Sequence, residues 1–165
     1  TGFPTGPFLL ANLESLWLLA NQDLLKQEIP VSIKGEGKMY RIITNNQMCL
    51  VKYGDQIQVE YLDGQSYMDV LVKVRDYIQN GWCLETHPMT GSLKPNQTPY
   101  KSVMVSDRPV DKEEFYQQEI TIENGITACR KFQSIRKTPD WPQNLLEDFQ
   151  AVDLSLIEGA IQKIL

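Results

Sequence analysis

A strongly patterned helix between two short apolar runs constrains the fold of this chain more than any other feature. Ser66 is a good helix N-cap, and Asp69 stands three residues later, where its carboxylate can complete a capping box. Gly81 is a typical helix end. The residues that recur at helical spacing are Tyr67, Val70, Leu71, Val74 and Ile78. Because residues 57–62 alternate and residues 82–84 are apolar, the pattern predicts a strand, a helix and a strand, the βαβ unit of parallel sheets.

Three further strands are predicted from runs of β-forming residues, namely residues 40–44, 102–106 and 148–152. Residues 47–54 are ambiguous between a helical turn and irregular chain. From residue 39 to residue 165 the pattern therefore predicts a single three-layer α/β domain. Its sheet is expected to be mainly parallel, with about five strands and with helices on both faces.

Two long helices are predicted in the second half of the chain. Asp111 is a suitable N-cap for a helix that continues to about Gln133. A β-hairpin around residues 124–125 competes with this helix, but the apolar residues on either side fall on one helical stripe, so we favour the helix. Asp153 is predicted to cap a last helix, whose apolar residues are Leu154, Ile157, Ile161 and Leu165.

Residues 1–38 differ in composition from the rest and are predicted to be an N-terminal helical extension. Residues 7–27 are the helix candidate, and their leucine-rich face is wider than one small domain needs. We therefore expect the chain to associate with copies of itself. The alternatives are a docking helix for another protein, or a segment added by cloning or gene fusion, since Met39 resembles a natural start.

Composition argues against several classes of function. The formal net charge is -5 and the Lys and Arg residues are scattered, which disfavours binding to nucleic acid. One histidine and three widely spaced cysteines are too few for a structural zinc site, and no cofactor is expected. The longest apolar run, residues 7–19, is too short and too polar to span a membrane. Unpaired cysteines favour a reducing compartment, so we expect a cytoplasmic protein.

Residues 86–100 form a predicted loop that is rich in polar side chains and contains the one histidine of the chain. The loop follows the third predicted strand, and α/β sheets bind ligands at the carboxyl ends of their strands. The predicted ligand-binding residues are Asn45, Asn46, His87, Ser92, Lys94 and Asn96. Together their donors could hold a carboxylate or a phosphate. The alternative is a structural histidine, a turn at Ser92 and a solvated Lys94.

His87, Ser92 and Lys94 are also the candidate catalytic residues. A histidine can act as a general base near neutral pH, and Ser92 and Lys94 would point to the same side of an extended segment. However, the chain has no G-x-S-x-G elbow, no G-x-x-x-x-G-K-[ST] phosphate loop and no G-x-G-x-x-G turn. Neither a common hydrolase nor a common nucleotide-binding site is therefore predicted.

The sequence resembles the GrdX family at Y-R-I-I-T-N-N, V-L-V-K-V-R-D-Y-I-Q-N-G and T-H-P-M-T-G-S-L-K-P-N-Q-T-P-Y-K-S-V. Members of this family are small bacterial proteins encoded beside the selenium-dependent glycine, sarcosine and betaine reductases of amino-acid-fermenting anaerobes. The resemblance runs from about residue 39 to the end of the chain, where D-F-Q-A-V-D-L-S-L-I carries it. It implies a cytoplasmic protein tied to a reductase system and assigns no catalytic residue.

Two functions are consistent with these features. The first is an accessory or binding protein of such a reductase system, whose loop contacts a reductase subunit or a small anionic metabolite. The second is a small enzyme that acts on a carboxylate or phosphorylated metabolite through His87, Ser92 and Lys94. We favour the first, because the polar groups of the loop match no recognised catalytic arrangement.

Overall fold

The computed structural model describes residues 37–90 and 93–165. The predicted extension over residues 1–38 lies almost wholly outside the described residues, and its helix over residues 7–27 lies wholly outside them. The described residues form four strands and four helices. In chain order these are β1 (Tyr40–Thr44), α1 (Gln47–Tyr53), β2 (Gln58–Tyr61), α2 (Tyr67–Gln79), β3 (Cys83–Leu84), β4 (Ser102–Ser106), α3 (Lys112–Ile135) and α4 (Gln143–Ile164).

The sheet is mixed, with the strand order β2-β1-β4-β3. Strand β1 pairs parallel with β2, whereas β4 pairs antiparallel with both β1 and β3. The prediction of a three-layer domain with a mainly parallel, five-stranded sheet is therefore wrong in strand number and in strand direction. The reason lies between β3 and β4, where the described residues form a loop without a crossover helix. Without a crossover the chain reverses, so that two neighbouring strands become antiparallel.

The predicted fifth strand, residues 148–152, is wrong because these residues lie inside helix α4. Asp153 is likewise not an N-cap but a buried residue of the helix interior, and the cap position belongs to Pro142. Asp153, Ile157 and Ile161 are buried at spacings of four residues, which is one stripe of a helix. A short apolar run fits a strand and a helix equally well, so residues 148–152 by themselves do not decide between them.

Side chains alternate across the two central strands and fill two separate hydrophobic clusters. Ile43, Val103 and Val105 pack with residues of α2 and α3. Ile42 and Met104 pack with residues of α1 and α4. All five side chains are at most 1% exposed. Because successive residues of a strand point to opposite faces, the same two strands contribute to both clusters.

The local predictions for the helices are largely confirmed. Helix α2 begins at a complete capping box, in which the Ser66 hydroxyl accepts from the Asp69 backbone N–H and the Asp69 carboxylate accepts from the Ser66 backbone N–H. The ambiguous residues 47–54 contain helix α1, which Asn46 caps. Helix α3 is continuous from Lys112 to Ile135, so the hairpin alternative around residues 124–125 is wrong.

Gly125 has a packing role rather than a turn role. It lies in the middle of α3, where Met89 and Pro88 of the loop approach the helix closely. A Cβ at this position would stand 3.4 Å from Met89 Cγ and 3.7 Å from Pro88 Cγ. The residue that suggested a hairpin in the sequence therefore makes room for the loop.

None of the helices in the described part of the chain is both long enough and apolar enough to cross a membrane.

Replacing Ser66 by alanine should lower the free energy of unfolding by about 1 kcal/mol, because the first turn of α2 loses its side-chain acceptor. Urea titration followed by circular dichroism measures the change. Ser155→Ala is the matched control, since the exposed Ser155 hydroxyl donates to the Val152 carbonyl inside α4 and caps nothing. Equal shifts of the two unfolding midpoints would contradict the role of the capping box.

Candidate functional site

The end of β1 and the start of β4 meet at one edge of the sheet, where Thr44 pairs with Ser102. The loop of residues 86–100 leads through Lys101 into β4 at this edge. Asn45 and Asn46 follow β1 directly, and Lys101 precedes β4 directly. All three residues are buried. This edge therefore gathers several buried polar side chains, and each of them has a defined environment.

Asn45 ties the loop to the sheet. Its Nδ2 donates to the carbonyl oxygens of Gln65, at 2.9 Å, and Pro99, at 2.8 Å. Its Oδ1 accepts from the backbone N–H of Lys101 at 2.9 Å. All these hydrogen bonds of the side chain go to backbone atoms, so Asn45 holds the loop in place.

Asn46 joins α1 to α4. Its Oδ1 accepts from the backbone N–H of Met48 at 3.0 Å, which caps helix α1. Its Nδ2 donates to the Gln150 carbonyl oxygen and to Asp153 Oδ2, both at 2.9 Å. The two asparagines that sequence reasoning assigned to a ligand are therefore at the predicted edge, with their amide groups engaged by the protein itself.

The Asp153 carboxylate is the acceptor at the centre of this edge. Its Oδ1 accepts from the Ser102 backbone N–H at 3.0 Å, and its Oδ2 accepts from the Ser102 hydroxyl at 2.6 Å. The Thr44 hydroxyl lies 2.6 Å from the Ser102 hydroxyl and accepts from the Asn46 backbone N–H at 2.9 Å. A consistent chain of donors thus runs from Asn46 through Thr44 and Ser102 to the carboxylate. Such a network keeps a buried charge satisfied.

Lys101 is the unusual residue of this edge. It is 4% exposed, and among the described residues no side chain forms an ion pair or hydrogen bond with its ammonium group. Burial lowers the pKa of Lys101 to about 8, and the Asp153 carboxylate opposes this shift as a nearby negative charge. A lysine that is desolvated in this way has a substantial neutral fraction near pH 8.

A small cavity borders Lys101 and Asp153 at this edge. Its other lining residues are Tyr67, Thr90, Leu93, Thr98, Tyr100 and Leu156. The space open to the centre of a water molecule is ≈ 10 Å³, which is room for about one water molecule. Within the described part of the chain, the Tyr67 hydroxyl has one weak partner, the Met89 sulfur at 3.7 Å. Burial raises the pKa of Tyr67, so the phenol stays protonated. The cavity is therefore lined by residues that carry an amine, a carboxylate and a phenol, together with two leucines.

His87 is exposed and its contacts stay within its own turn. Its Nδ1 lies 3.0 Å from the Met89 backbone nitrogen and 2.9 Å from the Met89 carbonyl oxygen. When Nδ1 carries no proton, it accepts from the Met89 backbone N–H. When Nδ1 is protonated, it donates to the Met89 carbonyl oxygen. Both arrangements hold the His87 ring against the residues that pack on Gly125.

Lys94 and Asn96 lie at the carboxyl end of α3. The Lys94 ammonium stands 5.8 Å from the centre of the Phe132 ring, and Asn96 Nδ2 donates to the carbonyl oxygens of Phe132 and Arg136, both at 3.1 Å. The Asn96 Oδ1 is buried and has no partner. Asn96 therefore caps the last turn of the helix.

The six predicted ligand-binding residues thus fall into separate groups. Asn45 and Asn46 are at the end of β1, Lys94 and Asn96 are at the end of α3, and His87 is in its own turn. Ser92 lies outside the described residues. Within residues 37–90 and 93–165, no hydrogen bond joins His87 to either pair. That these side chains converge on an anion stays a prediction.

Sequence reasoning missed Lys101, Asp153 and Tyr67. The signals were weak but present: Lys101 directly precedes the buried run S-V-M-V-S, and Asp153 lies four residues before Ile157 on an apolar helical stripe. A charged residue within an apolar pattern indicates a candidate site, because an unpaired buried charge is costly.

A family model described as GrdX-like protein matches residues 41–162, about three quarters of the 165-residue chain. The chain belongs to the GrdX-like family. The match includes the loop, Lys101 and Asp153, which places the whole candidate site within the family domain. Comparisons with curated proteins and with solved structures gave no significant match.

Replacing Lys101 by methionine should change how stability depends on pH. Between pH 8 and about 10.4 the unfolded lysine binds a proton and the folded one does not, so the wild-type protein gains stability as the pH rises through this range. The variant lacks this gain. The free energy of unfolding of the variant, relative to that of the wild type, should therefore fall by about 3 kcal/mol between pH 7.5 and 10.5.

Urea titrations at several pH values measure this difference in the free energy of unfolding. The contributions of groups that titrate in both proteins cancel in the difference. Lys163→Met, at an exposed position of α4, is the matched control for replacing a lysine by methionine at a solvated position. A pH-independent difference between Lys101→Met and the wild type would show that the folded amine titrates normally.

Replacing Asp153 by alanine should cost about 3 kcal/mol, because the Ser102 backbone N–H loses its acceptor and the Asn46 amide loses one of two. Chemical denaturation measures the loss. Asp148→Ala, on the exposed side of the same helix, should change stability by less than about 0.5 kcal/mol. Similar losses in the two variants would mean that Asp153 does not anchor α4.

Proposed function

We propose that this protein is a binding protein of a selenium-dependent glycine, sarcosine or betaine reductase system, and that residues 86–100 are its contact surface for a reductase subunit. Membership of the GrdX-like family supports the link to these reductases, because the resemblance implies a place beside them. In this role the protein is cytoplasmic and contributes no catalytic residue of its own.

The observation that carries the proposal is the bracing of the loop. Trp141 Nε1 donates to the Gln97 carbonyl oxygen at 2.7 Å, and Gln133 Nε2 donates to the Pro95 carbonyl oxygen at 2.9 Å. Asn45 also binds the Pro99 carbonyl oxygen, and the Asn96 amide of the loop donates to the carbonyl oxygens of Phe132 and Arg136, so residues 95–99 are held at several points. A loop held in this way loses little conformational entropy on association, so it is suited to present a surface to a partner.

The charge at the end of α3 indicates the kind of partner surface. Lys94, Arg136 and Lys137 are exposed there, and none of them forms an ion pair within the described residues. The chain as a whole carries a net charge of -5, so this is a local reversal of sign. An acidic patch on the reductase subunit would complement it, and such complementarity mainly raises the association rate and the specificity.

A small anionic metabolite is the alternative occupant of this surface. Exposed cations and the His87 ring are groups that bind carboxylates and phosphates. In the corresponding alternative function the protein is a small enzyme that acts on such a metabolite through His87, Ser92 and Lys94. The two functions predict different results for subunit binding and for metabolite binding. Measuring both kinds of binding therefore separates them.

The double variant His87→Ala, Lys94→Ala should bind purified reductase subunits at least about tenfold more weakly than the wild type, because the exposed polar groups of the loop are lost. Biolayer interferometry with immobilised subunits measures the affinity, and added salt should weaken the wild-type complex. Lys163→Ala is the matched control for the loss of one positive charge. Unchanged affinity of the double variant for every subunit would refute the proposed surface.

The second measurement is a thermal shift with glycine, sarcosine, betaine and inorganic phosphate. A ligand at about a hundred times its dissociation constant stabilises the folded protein by about 2.7 kcal/mol. The proposal expects no shift. A shift that the double variant loses, together with unchanged subunit binding, would replace the proposal by the metabolite alternative.

A further inference from the structure

A cavity of ≈ 310 Å³ lies between helices α2 and α3. Ile78 of α2 and Ile122 of α3 line it with almost fully buried side chains. Ile120 of α3 lines it too and is 38% exposed, so the cavity has an apolar wall that is open to solvent. Sites for small organic molecules measure about 300 to 1,000 Å³ and combine apolar walls with a few polar groups. The volume and the three isoleucines therefore make this cavity a candidate ligand site.

The lining of the cavity also carries an excess of negative charge. Its charged residues are Arg75 of α2 and Glu119 and Glu123 of α3. Arg75 Nη1 lies 3.5 Å from Glu123 Oε1, so these two residues form an ion pair across the two helices. In the described part of the chain, the half-buried Glu119 carboxylate takes part in no ion pair. One carboxylate of the lining is thus left without a counterion.

Glu119 and Glu123 are spaced so that each carboxylate feels the other. They stand four residues apart in α3 and therefore lie on the same side of the helix. Like charges at this spacing destabilise a helix, and Arg75 is the one cation among the lining residues. A second cation in the cavity would offset this repulsion. The lining is therefore complementary to a positively charged ligand with an apolar body.

We propose that this cavity binds a small organic amine. Its ammonium group pairs with the Glu119 carboxylate, and its apolar body packs on Ile78 and Ile120. The cavity volume equals that of about ten water molecules, so a ligand of up to about ten non-hydrogen atoms fits. The inference does not rest on the proposed role with a reductase, because it concerns residues outside the loop of residues 86–100.

A second copy of this chain is a less suitable occupant of the same face. Tyr116 stands one turn before Ile120 in α3 and is 59% exposed, so the two side chains offer an apolar contact. A two-fold contact centred on Ile120 brings the Glu119 carboxylates of both copies together. This contact adds a repulsion between like charges, whereas an amine removes one. The charges of the lining therefore favour the amine.

The test is a titration of the full chain with 2-phenylethylamine at pH 7, followed by two-dimensional amide NMR. The signals of Ile78, Ile120 and Asn124 should shift and saturate, because these residues line the cavity. The matched neutral and anionic probes, 2-phenylethanol and 3-phenylpropionate, should bind at least about fivefold more weakly than the amine, since neither can pair with a carboxylate. Equal binding of the three probes, or no saturating shift at these residues, would overturn the proposal.

Two variants should change the affinity for 2-phenylethylamine in opposite directions. Glu119→Gln should raise the dissociation constant at least about fivefold, because the ammonium group loses its partner. Arg75→Gln should lower it by about threefold, because both carboxylates are then free to attract the ligand. Glu113→Gln removes one negative charge from an exposed position of the same helix and is the matched control. Circular dichroism checks that each variant is folded. An equal effect of the Glu113 and Glu119 variants, or weaker binding by the Arg75 variant, would contradict the proposed charge pairing.

The last measurement distinguishes the amine from a second copy of the chain. The amide signals of Tyr116 and Ile120 should not depend on protein concentration when no amine is present. Concentration-dependent shifts at these two residues would assign the face of α3 to self-association instead, and they would overturn the proposal.

Discussion

The hydrogen bonds of the Asp153 carboxylate are the interaction on which the rest of the structure depends. They join α4 to the first residue of β4 through Ser102 and to the start of α1 through Asn46. One and two turns further along α4, Ile157 and Ile161 pack in one hydrophobic cluster with Ile42 of β1. The carboxylate thus sets the position of α4 along the sheet, and the apolar stripe that follows it supplies most of the burial energy.

The loop of residues 86–100 depends on the same edge. Its end is fixed where the Asn45 amide binds the Pro99 carbonyl and the Lys101 N–H, and its middle rests on α3. Gly125 allows Pro88 and Met89 to approach that helix, and Asn96 caps its last turn. The polar side chains of the loop therefore serve in part to build it, which leaves its exposed cations as the groups that can meet a partner.

Lys101, at the same edge, lowers the stability of the folded protein. A buried amine without a partner destabilises the folded protein at neutral pH, because charging it costs desolvation energy that no hydrogen bond returns. A methionine of similar length would fill the position without that cost. The Asp153 charge reduces the penalty but is itself satisfied by Ser102 and Asn46. Burial therefore lowers the pKa of Lys101, and the nearby Asp153 charge opposes this shift only in part.

The sequence by itself determined the elements whose signals are local. The capping box of α2, the strands β1 and β4 and the stripe of α3 follow from periodicity and capping, and so does the expectation that Asn45 and Asn46 lie at a strand end. Tertiary structure alone decided the direction of β4, the helical state of residues 148–152 and the burial of Lys101. These depend on contacts between residues far apart in the chain. Residues 148–152 are compatible with a strand or a helix, and Lys101 with a solvated or a desolvated position. Contacts with residues far away in the chain decide which of these forms.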